Sequence, residues 1–162
     1  MTAAAKTAIL NFIRDGAGPR KAAPERREEE KMNKKKVAFL CVHNSCRSQI
    51  AEALGHYLAE DVFESYSAGT ATKPRIDPTA VRLMRELYGI DMEARQFPKT
   101  VDQIPEPDIA ISMGCDVGCP YVGRELDDNW QLEDPTGRDD DAYREVIAQI
   151  QQCILALRMD LK

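Results

Sequence analysis

An apolar run that ends in a cysteine and leads directly into a helical pattern constrains the fold more than any other part of this sequence. Residues 37–40 are continuously apolar, which is typical of a strand buried on both faces of a sheet. From Ser48 onward, apolar residues recur at helical spacing. Cys41 is therefore predicted to lie at the carboxyl end of a strand, in a loop that leads to a helix N-terminus. Open α/β sheets bind ligands at this place, and the N–H groups of the helix favour anions.

The loop from Cys41 to Arg47 has the composition of a nucleophile loop that also binds an oxyanion. Five residues separate the two side chains, and a loop of this length can direct successive amides at one tetrahedral anion. The helix dipole and the guanidinium add positive charge, which favours the thiolate form of the cysteine. One loop can thus hold an anion and attack it. The alternative interpretation is a buried structural cysteine beside a solvated arginine.

The rest of the chain alternates between strand and helix patterns. Further strands are predicted at 61–67, 108–113 and 129–132, and helices at about 48–59, 77–89 and from 139 onward. Asp77 is predicted to cap the N-terminus of a helix whose first residue is Pro78, and Gly89 is predicted to end that helix. This order predicts a three-layer α/β fold, with a four-stranded parallel sheet and helices on both faces.

A second pair of cysteines, Cys115 and Cys119, follows the third predicted strand. Because the ends of parallel strands meet at one edge of a sheet, we expect this pair to face Cys41. Helical spacing would leave the two Cβ atoms about 5–6 Å apart, which is further than the roughly 3.5–4.5 Å of a disulfide. The adjacent Gly114 and Gly118 make local movement easy, so the pair predicts a redox switch. The alternative is a four-thiolate zinc site that also includes Cys41 and Cys46.

Asp134 is the candidate proton donor. It precedes Pro135 in the loop after the fourth predicted strand. A carboxyl group that is shielded from water and faces an anion has a raised pKa, which suits it to protonate a departing oxygen. Cys153, on the last predicted helix, is expected to be a core residue.

The segment CVHNSCRSQIAEA resembles the active-site loop of the low-molecular-weight protein tyrosine phosphatase family, and more closely that of its thioredoxin-coupled arsenate reductases. The resemblance covers about residues 36 to 158. It implies that Cys41 is the nucleophile and that Arg47 binds the oxyanion, with Ser48 as the loop-closing hydroxyl and Asn44 as a brace. Gln49 stands where phosphatases usually carry proline, which favours a reductase. Aromatic residues usually follow Asp-Pro in the phosphatases, whereas here the next residues are threonine and glycine.

The same resemblance implies an order of events for arsenate reduction. Cys41 attacks arsenate while Asp134 protonates the departing oxygen, Cys115 then attacks Cys41 and releases arsenite, and Cys119 attacks Cys115. The resulting disulfide is left for thioredoxin. The best-known members space the last two cysteines more widely. The implied oxyanion loop consists of Val42, His43, Asn44, Ser45, Cys46, Arg47 and Ser48.

Two alternatives remain open on sequence grounds. A phosphatase acting on phosphotyrosine or on a small phosphoester would need Cys41, Arg47 and Asp134, but neither Cys115 nor Cys119. A non-catalytic zinc-binding or oxyanion-binding module would need no turnover. For the reductase, arsenate is the expected substrate with phosphate and sulfate as analogues. No bound cofactor and no metal are expected, and the reductant is an external thiol such as thioredoxin.

Composition limits the partners, the cellular location and the domain organisation that this chain can have. In 162 residues the net charge is −5, which disfavours a nucleic-acid partner. No apolar run has the length of a membrane span, and five cysteines without an export signal favour a cytoplasmic protein. Residues 1–33 are predicted to be a disordered or weakly helical N-terminal tail, because glycines, prolines and a charge run interrupt them. Residues 34–162 are predicted to form a single catalytic domain, and the protein is expected to be a monomer.

Overall fold

The computed structural model describes residues 24–114 and 118–162. The chain divides into two compact units, Met1–Asn33 and Lys34–Lys162. In the first unit, helix α1 comprises Pro24–Met32. Cys115 lies outside the described residues, as do residues 1–23. No helix within the two described ranges is long and apolar enough to cross a membrane.

The second unit is built on a four-stranded parallel sheet in the order β2-β1-β3-β4. Strand β1 (Lys35–Leu40) lies between β2 (Phe63–Ala68) and β3 (Ile109–Ser112), and β4 is the short Asp128–Asn129. The last residue of β1, Leu40, is in register with the last residues of β2 and β3. The predicted parallel sheet is confirmed, and the loops that follow its strands all begin at one edge.

Three long helices supply most of the packing against this sheet. They are α2 (Arg47–Ala59), α3 (Pro78–Tyr88) and α4 (Asp140–Leu161). Their apolar faces join Phe39 in the larger core cluster. The alternate residues of β1, including Leu40, face a smaller cluster that the 3-10 helix Val101–Gln103 and the segment 122–126 cover. A second 3-10 helix comprises Met92–Ala94. Within the described residues, the helical structure on this second face is thus one short 3-10 turn.

The ends of α3 follow from its sequence. The Asp77 carboxylate accepts hydrogen bonds from the N–H groups of Thr79 and Ala80, Pro78 occupies the first turn, and Gly89 ends the helix with a φ of 69°. The second carboxylate oxygen of Asp77 accepts a hydrogen bond from the Tyr143 hydroxyl of α4 at 2.9 Å. This cap therefore also joins the start of α3 to α4.

Strand β4 is shorter than predicted and begins earlier. Its two residues, Asp128 and Asn129, precede most of the predicted 129–132 span. The reason is Gln131, whose φ of 50° takes the backbone out of the extended conformation. The segment stays attached to the sheet, since the N–H groups of Trp130 and Leu132 still donate to the carbonyls of Ser112 and Met113.

Candidate functional site

The Cys41 side chain is held by its own loop at the carboxyl end of β1. It is 5% exposed, and its sulfur lies 2.8 Å from the Ser48 hydroxyl oxygen. The backbone N–H of Asn44 donates to the same sulfur at 3.2 Å. The sulfur is therefore held in place by two groups of its own loop.

The loop offers several N–H groups to a ligand. Among the described residues, the backbone N–H groups of residues 42, 43 and 45–48 find no hydrogen-bond acceptor. Helix α2 begins at Arg47, without a side-chain cap on its N-terminus and without an acidic residue in its first turn. The positive end of this helix therefore faces the loop with no carboxylate from its own first turn to offset it, which favours a bound anion.

Asn44 braces the loop from within. It is fully buried with a φ of 47°, and its amide nitrogen donates to the Ser48 hydroxyl at 2.9 Å. The Gln49 amide nitrogen donates to the Asn44 carbonyl and side-chain oxygens, and to the carbonyl of Phe97. Gln96 in turn donates to Gln49. A proline at position 49 could make none of these contacts. The glutamine that distinguishes this chain from the phosphatases therefore has a structural role.

A buried ion pair lies beneath the brace. The Lys99 ammonium is 2.9 Å from the Glu52 carboxylate, and both side chains are 8% exposed. The same carboxylate accepts a hydrogen bond from the Ser67 hydroxyl. The backbone N–H of Lys99 donates to the Asn44 side-chain oxygen at 2.9 Å. Lys99 thus joins the loop after Phe97 both to helix α2 and to the loop of the nucleophile.

Arg47 connects the nucleophile loop with the loops after β3 and β4. One terminal nitrogen donates to the carbonyls of Met113 and Leu132, at 3.2 and 2.7 Å. The other lies 3.9 Å from an oxygen of Asp134. The guanidinium is therefore oriented by two backbone carbonyls, with its second nitrogen directed at the proposed acid.

The Asp134 carboxylate is half-exposed beside Arg47. Burial raises its pKa, but two hydrogen bonds from Thr136 and the charges of Arg47 and Lys73 outweigh that effect, and the net pKa is lowered. The sequence predicted a raised pKa for this carboxyl group, on the expectation that it is shielded from water and faces an anion. The difference arises because cations and donors surround the carboxylate here, whereas the negative charge of an oxyanion would act in the opposite direction.

Cys46, the second cysteine of the loop, is not suited to attack. Burial raises the pKa of its thiol far above the ordinary value, and the charges of Asp77 and Asp134 raise it further. The Asp77 backbone N–H also donates to the carbonyl of Ser45 at 2.8 Å. The start of α3 therefore holds this side of the loop, and Cys46 serves there as a packed thiol.

The segment that carries Cys119 lies next to the nucleophile loop. Thr70 connects the two, because its N–H donates to the carbonyl of Val42 at 2.9 Å and its hydroxyl donates to the carbonyl of Gly118 at 2.6 Å. The Cys119 sulfur is 3.2 Å from the Ser112 hydroxyl, and this cysteine is disulfide-bonded. Cys115, the other predicted relay cysteine, lies outside the described residues.

Cys41, Cys46 and Cys153 are free thiols. Cys153 is half-buried on α4, where a core position was expected, because it borders an open surface cavity beside Trp130. In the part of the chain that the structure describes, no group of three His, Cys, Asp or Glu residues could hold a metal ion.

The predicted residues Cys41, Arg47 and Asp134 line one small cavity. The sequence did not reveal Gln96 and Lys99, which are buried and support the nucleophile loop. It also did not reveal Lys73, which lines the cavity itself. For Lys73 a signal did exist, since it follows β2, whose end is at the same sheet edge. The cavity is lined by Cys41, Val42, His43, Ser45, Cys46, Arg47, Lys73, Asp134 and Thr136.

Comparison with known proteins places this site in a family. The sequence pattern of the low molecular weight phosphotyrosine protein phosphatases matches residues 36–162. The chain is similar to a curated protein, the glutaredoxin arsenate reductase of Synechocystis sp. The two are 37% identical over 122 residues, which cover 73% of this chain and 92% of that protein.

Solved structures agree with the sequence comparison. The chain is similar to an arsenate reductase in the phosphate binding state, with a TM-score of 0.69 and 34% identity over 79% of this chain and 99% of that one. It is also similar to a thioredoxin-dependent arsenate reductase of Corynebacterium glutamicum. There the TM-score is 0.61 and the identity 31%, over 83% of this chain and 65% of that one.

Proposed function

The chain belongs to the low molecular weight phosphotyrosine protein phosphatase family. From that premise we propose that it is an arsenate reductase, like the relatives from Synechocystis sp. and from the phosphate-bound structure described above. The observation that carries the proposal is the hydrogen bonding of the Cys41 sulfur to Ser48 and to the Asn44 N–H. The loop around this sulfur has amides that find no acceptor among the described residues. This arrangement suits a thiolate that attacks a bound tetrahedral oxyanion.

The first step forms a bond between the Cys41 sulfur and arsenic. One arsenic–oxygen bond breaks, and the oxygen leaves as water once it is protonated. Arg47 supports this step by balancing the charge of the anion. Asp134, whose carboxylate lies 3.9 Å from that guanidinium, is the proposed proton donor.

The next steps transfer two electrons from thiols to arsenic. The Cys115 thiolate attacks the Cys41 sulfur, the sulfur–arsenic bond breaks with its electron pair on arsenic, and arsenite leaves. Cys119 then attacks Cys115, so that Cys41 is released as a thiolate and a Cys115–Cys119 disulfide remains. The contacts of Thr70 with Val42 and Gly118 support this relay, because they hold the Cys119 segment against the nucleophile loop.

Serine variants of the cysteines test the relay in two assays. Cys41→Ser should lose both arsenate reduction and the hydrolysis of p-nitrophenyl phosphate. Cys115→Ser should lose reduction but keep hydrolysis, and Cys119→Ser should release arsenite for a single turnover only. Cys153→Ser is the matched control and should keep both activities. Full multiple turnover by Cys119→Ser would contradict the disulfide step, and hydrolysis without any reduction in the unmodified protein would favour a phosphatase.

We propose an external thiol as the reductant, with thioredoxin as the first candidate. One structural relative is thioredoxin-dependent, whereas a curated relative is a glutaredoxin arsenate reductase. Steady-state reduction should therefore be measured with a thioredoxin system and, separately, with glutaredoxin and glutathione. Turnover with glutaredoxin alone would contradict the assignment of thioredoxin and leave the chemistry at Cys41 unchanged.

A further inference from the structure

Lys73 is a cation at the cavity that the reaction described above does not use. It lies in the loop after β2, where its backbone N–H donates to the carbonyl of His43 at 3.2 Å. This contact attaches the Lys73 loop to the loop of the nucleophile. The residue lines the same cavity as Cys41 and Asp134.

The ammonium of Lys73 is available to a ligand, unlike the other charges of the cavity. Arg47 donates to two backbone carbonyls, and Asp134 accepts two hydrogen bonds from Thr136. Lys73 is exposed, and its side chain makes no hydrogen bond or ion pair with any residue in the described ranges. The charge of Lys73 helps to lower the pKa of Asp134. An exposed charge of this kind contributes little to folding, but at the edge of an anion site it raises the local concentration of anions.

We propose that Lys73 is a substrate-binding residue that selects a small inorganic oxyanion over a phosphoester. The inference rests on the proposed arsenate reduction. An inorganic oxyanion held by the loop presents its fourth oxygen to the mouth of the cavity, where that oxygen accepts a charge-assisted hydrogen bond from the ammonium. In a phosphoester this oxygen carries a carbon substituent, which makes it a poorer acceptor and places an organic group against a hydrated cation.

Binding of inorganic phosphate provides a test without turnover. Phosphate should protect Cys41 from alkylation by iodoacetamide, as quantified by mass spectrometry of the Cys41 peptide. We expect Lys73→Met to weaken protection about three- to tenfold at low ionic strength, and less in high salt. Lys73→Arg should keep most of the affinity. Arg75→Met removes an exposed cation two residues away that does not line the cavity, and it should bind phosphate as the unmodified protein does.

Kinetics test the selectivity. In Lys73→Met we expect KM for arsenate to rise by a similar factor with kcat nearly unchanged, while kcat/KM for p-nitrophenyl phosphate changes less. Equal protection of Lys73→Met and the unmodified protein would overturn the inference, and so would an equal loss in Arg75→Met. If Lys73→Met weakens phosphate binding but the unmodified protein reduces no arsenate, the proposed function fails and the role of Lys73 in anion binding stands.

Discussion

Ser48 links the nucleophile to the residues that brace its loop. Its hydroxyl lies 2.8 Å from the Cys41 sulfur and accepts a hydrogen bond from the Asn44 amide at 2.9 Å. With Asn44 as its donor, the Ser48 hydroxyl has its own proton free for the sulfur. The orientation of the amide thus directs the Ser48 hydroxyl at the sulfur.

Ser48→Ala is expected to lower kcat/KM for arsenate about 10- to 100-fold, because a hydrogen bond to a charged group contributes about 1.5–3 kcal/mol. Steady-state kinetics and the alkylation rate of Cys41 at one pH measure the effect. Ser65→Ala is the control. The Ser65 hydroxyl is buried with no hydrogen-bond partner among the described residues, so its loss should leave the activity intact and stabilise the protein by up to about 1 kcal/mol. An equal loss of activity in both variants would contradict the role of Ser48.

Asp134 makes stability depend on pH. Burial raises its pKa, but Thr136, Arg47 and Lys73 outweigh burial, so the folded pKa lies below the ordinary value of 3.8. A group with a depressed folded pKa stabilises the fold above its unfolded pKa, and that stability is lost as the pH falls through the folded pKa. Asp134→Asn should therefore lower Tm at neutral pH and change it progressively less below about pH 4. If the Tm difference between Asp134→Asn and the unmodified protein grew as the pH was lowered, the depressed pKa of Asp134 would be contradicted.

At the scale of elements, the Lys99–Glu52 pair joins helix α2 to the loop that follows Phe97. Removing one partner of a buried ion pair leaves the other charge unpaired, which costs about 3–5 kcal/mol. We expect Lys99→Met to lower the free energy of unfolding by this amount in urea titrations, and the double variant Lys99→Met/Glu52→Gln to recover much of it. The control, Arg144→Met, removes an exposed pair with Asp141 and should change stability by less than about 0.5 kcal/mol. If the losses in free energy of unfolding from the two single changes simply added in the double variant, the coupling between Lys99 and Glu52 would be contradicted.

The elements that could be predicted from the sequence have local signals. Helix α3 begins with Asp77 and Pro78 and ends at Gly89, as expected, because capping depends on neighbouring residues alone. The loop from Cys41 to Arg47 was predictable for the same reason. Strand β4 was not, because the positive φ of Gln131 has no signature in the local sequence.

The support of the site could not be predicted, because it comes from residues distant in sequence. Gln96 reaches Gln49 across 47 positions, and the Lys99 N–H reaches Asn44 across 55. Glutamine and lysine are mostly exposed in proteins, so the sequence alone predicts that these side chains lie at the surface. Their burial follows only once β1 and β2 are paired and the loop after Phe97 crosses the end of the sheet.

At the scale of the whole molecule, the parallel sheet gathers the site at one edge. Cys41, the proposed nucleophile, follows β1, and Lys73 follows β2. The Cys119 segment follows β3, and Asp134, the proposed acid, follows β4. A chemistry that needs a nucleophile, cations, an acid and a redox pair can therefore be assembled from four loops. Each loop is free to vary in sequence while the strands keep the ends in register.

From this organisation we expect the activity to reside in residues 34–162. The family pattern begins at residue 36, and every described residue of the site lies beyond it. We expect the fragment 34–162 to keep kcat for arsenate and to unfold cooperatively, within about 1 kcal/mol of the full chain in urea. A fragment that begins at Ala38 is the matched control. It lacks the Lys36 N–H that donates to Asp108 at 2.8 Å and the Val37 pairing of β1 with both neighbouring strands, so it should not fold. A fragment 34–162 that loses cooperative unfolding or most of its turnover would show that the preceding residues belong to the functional domain.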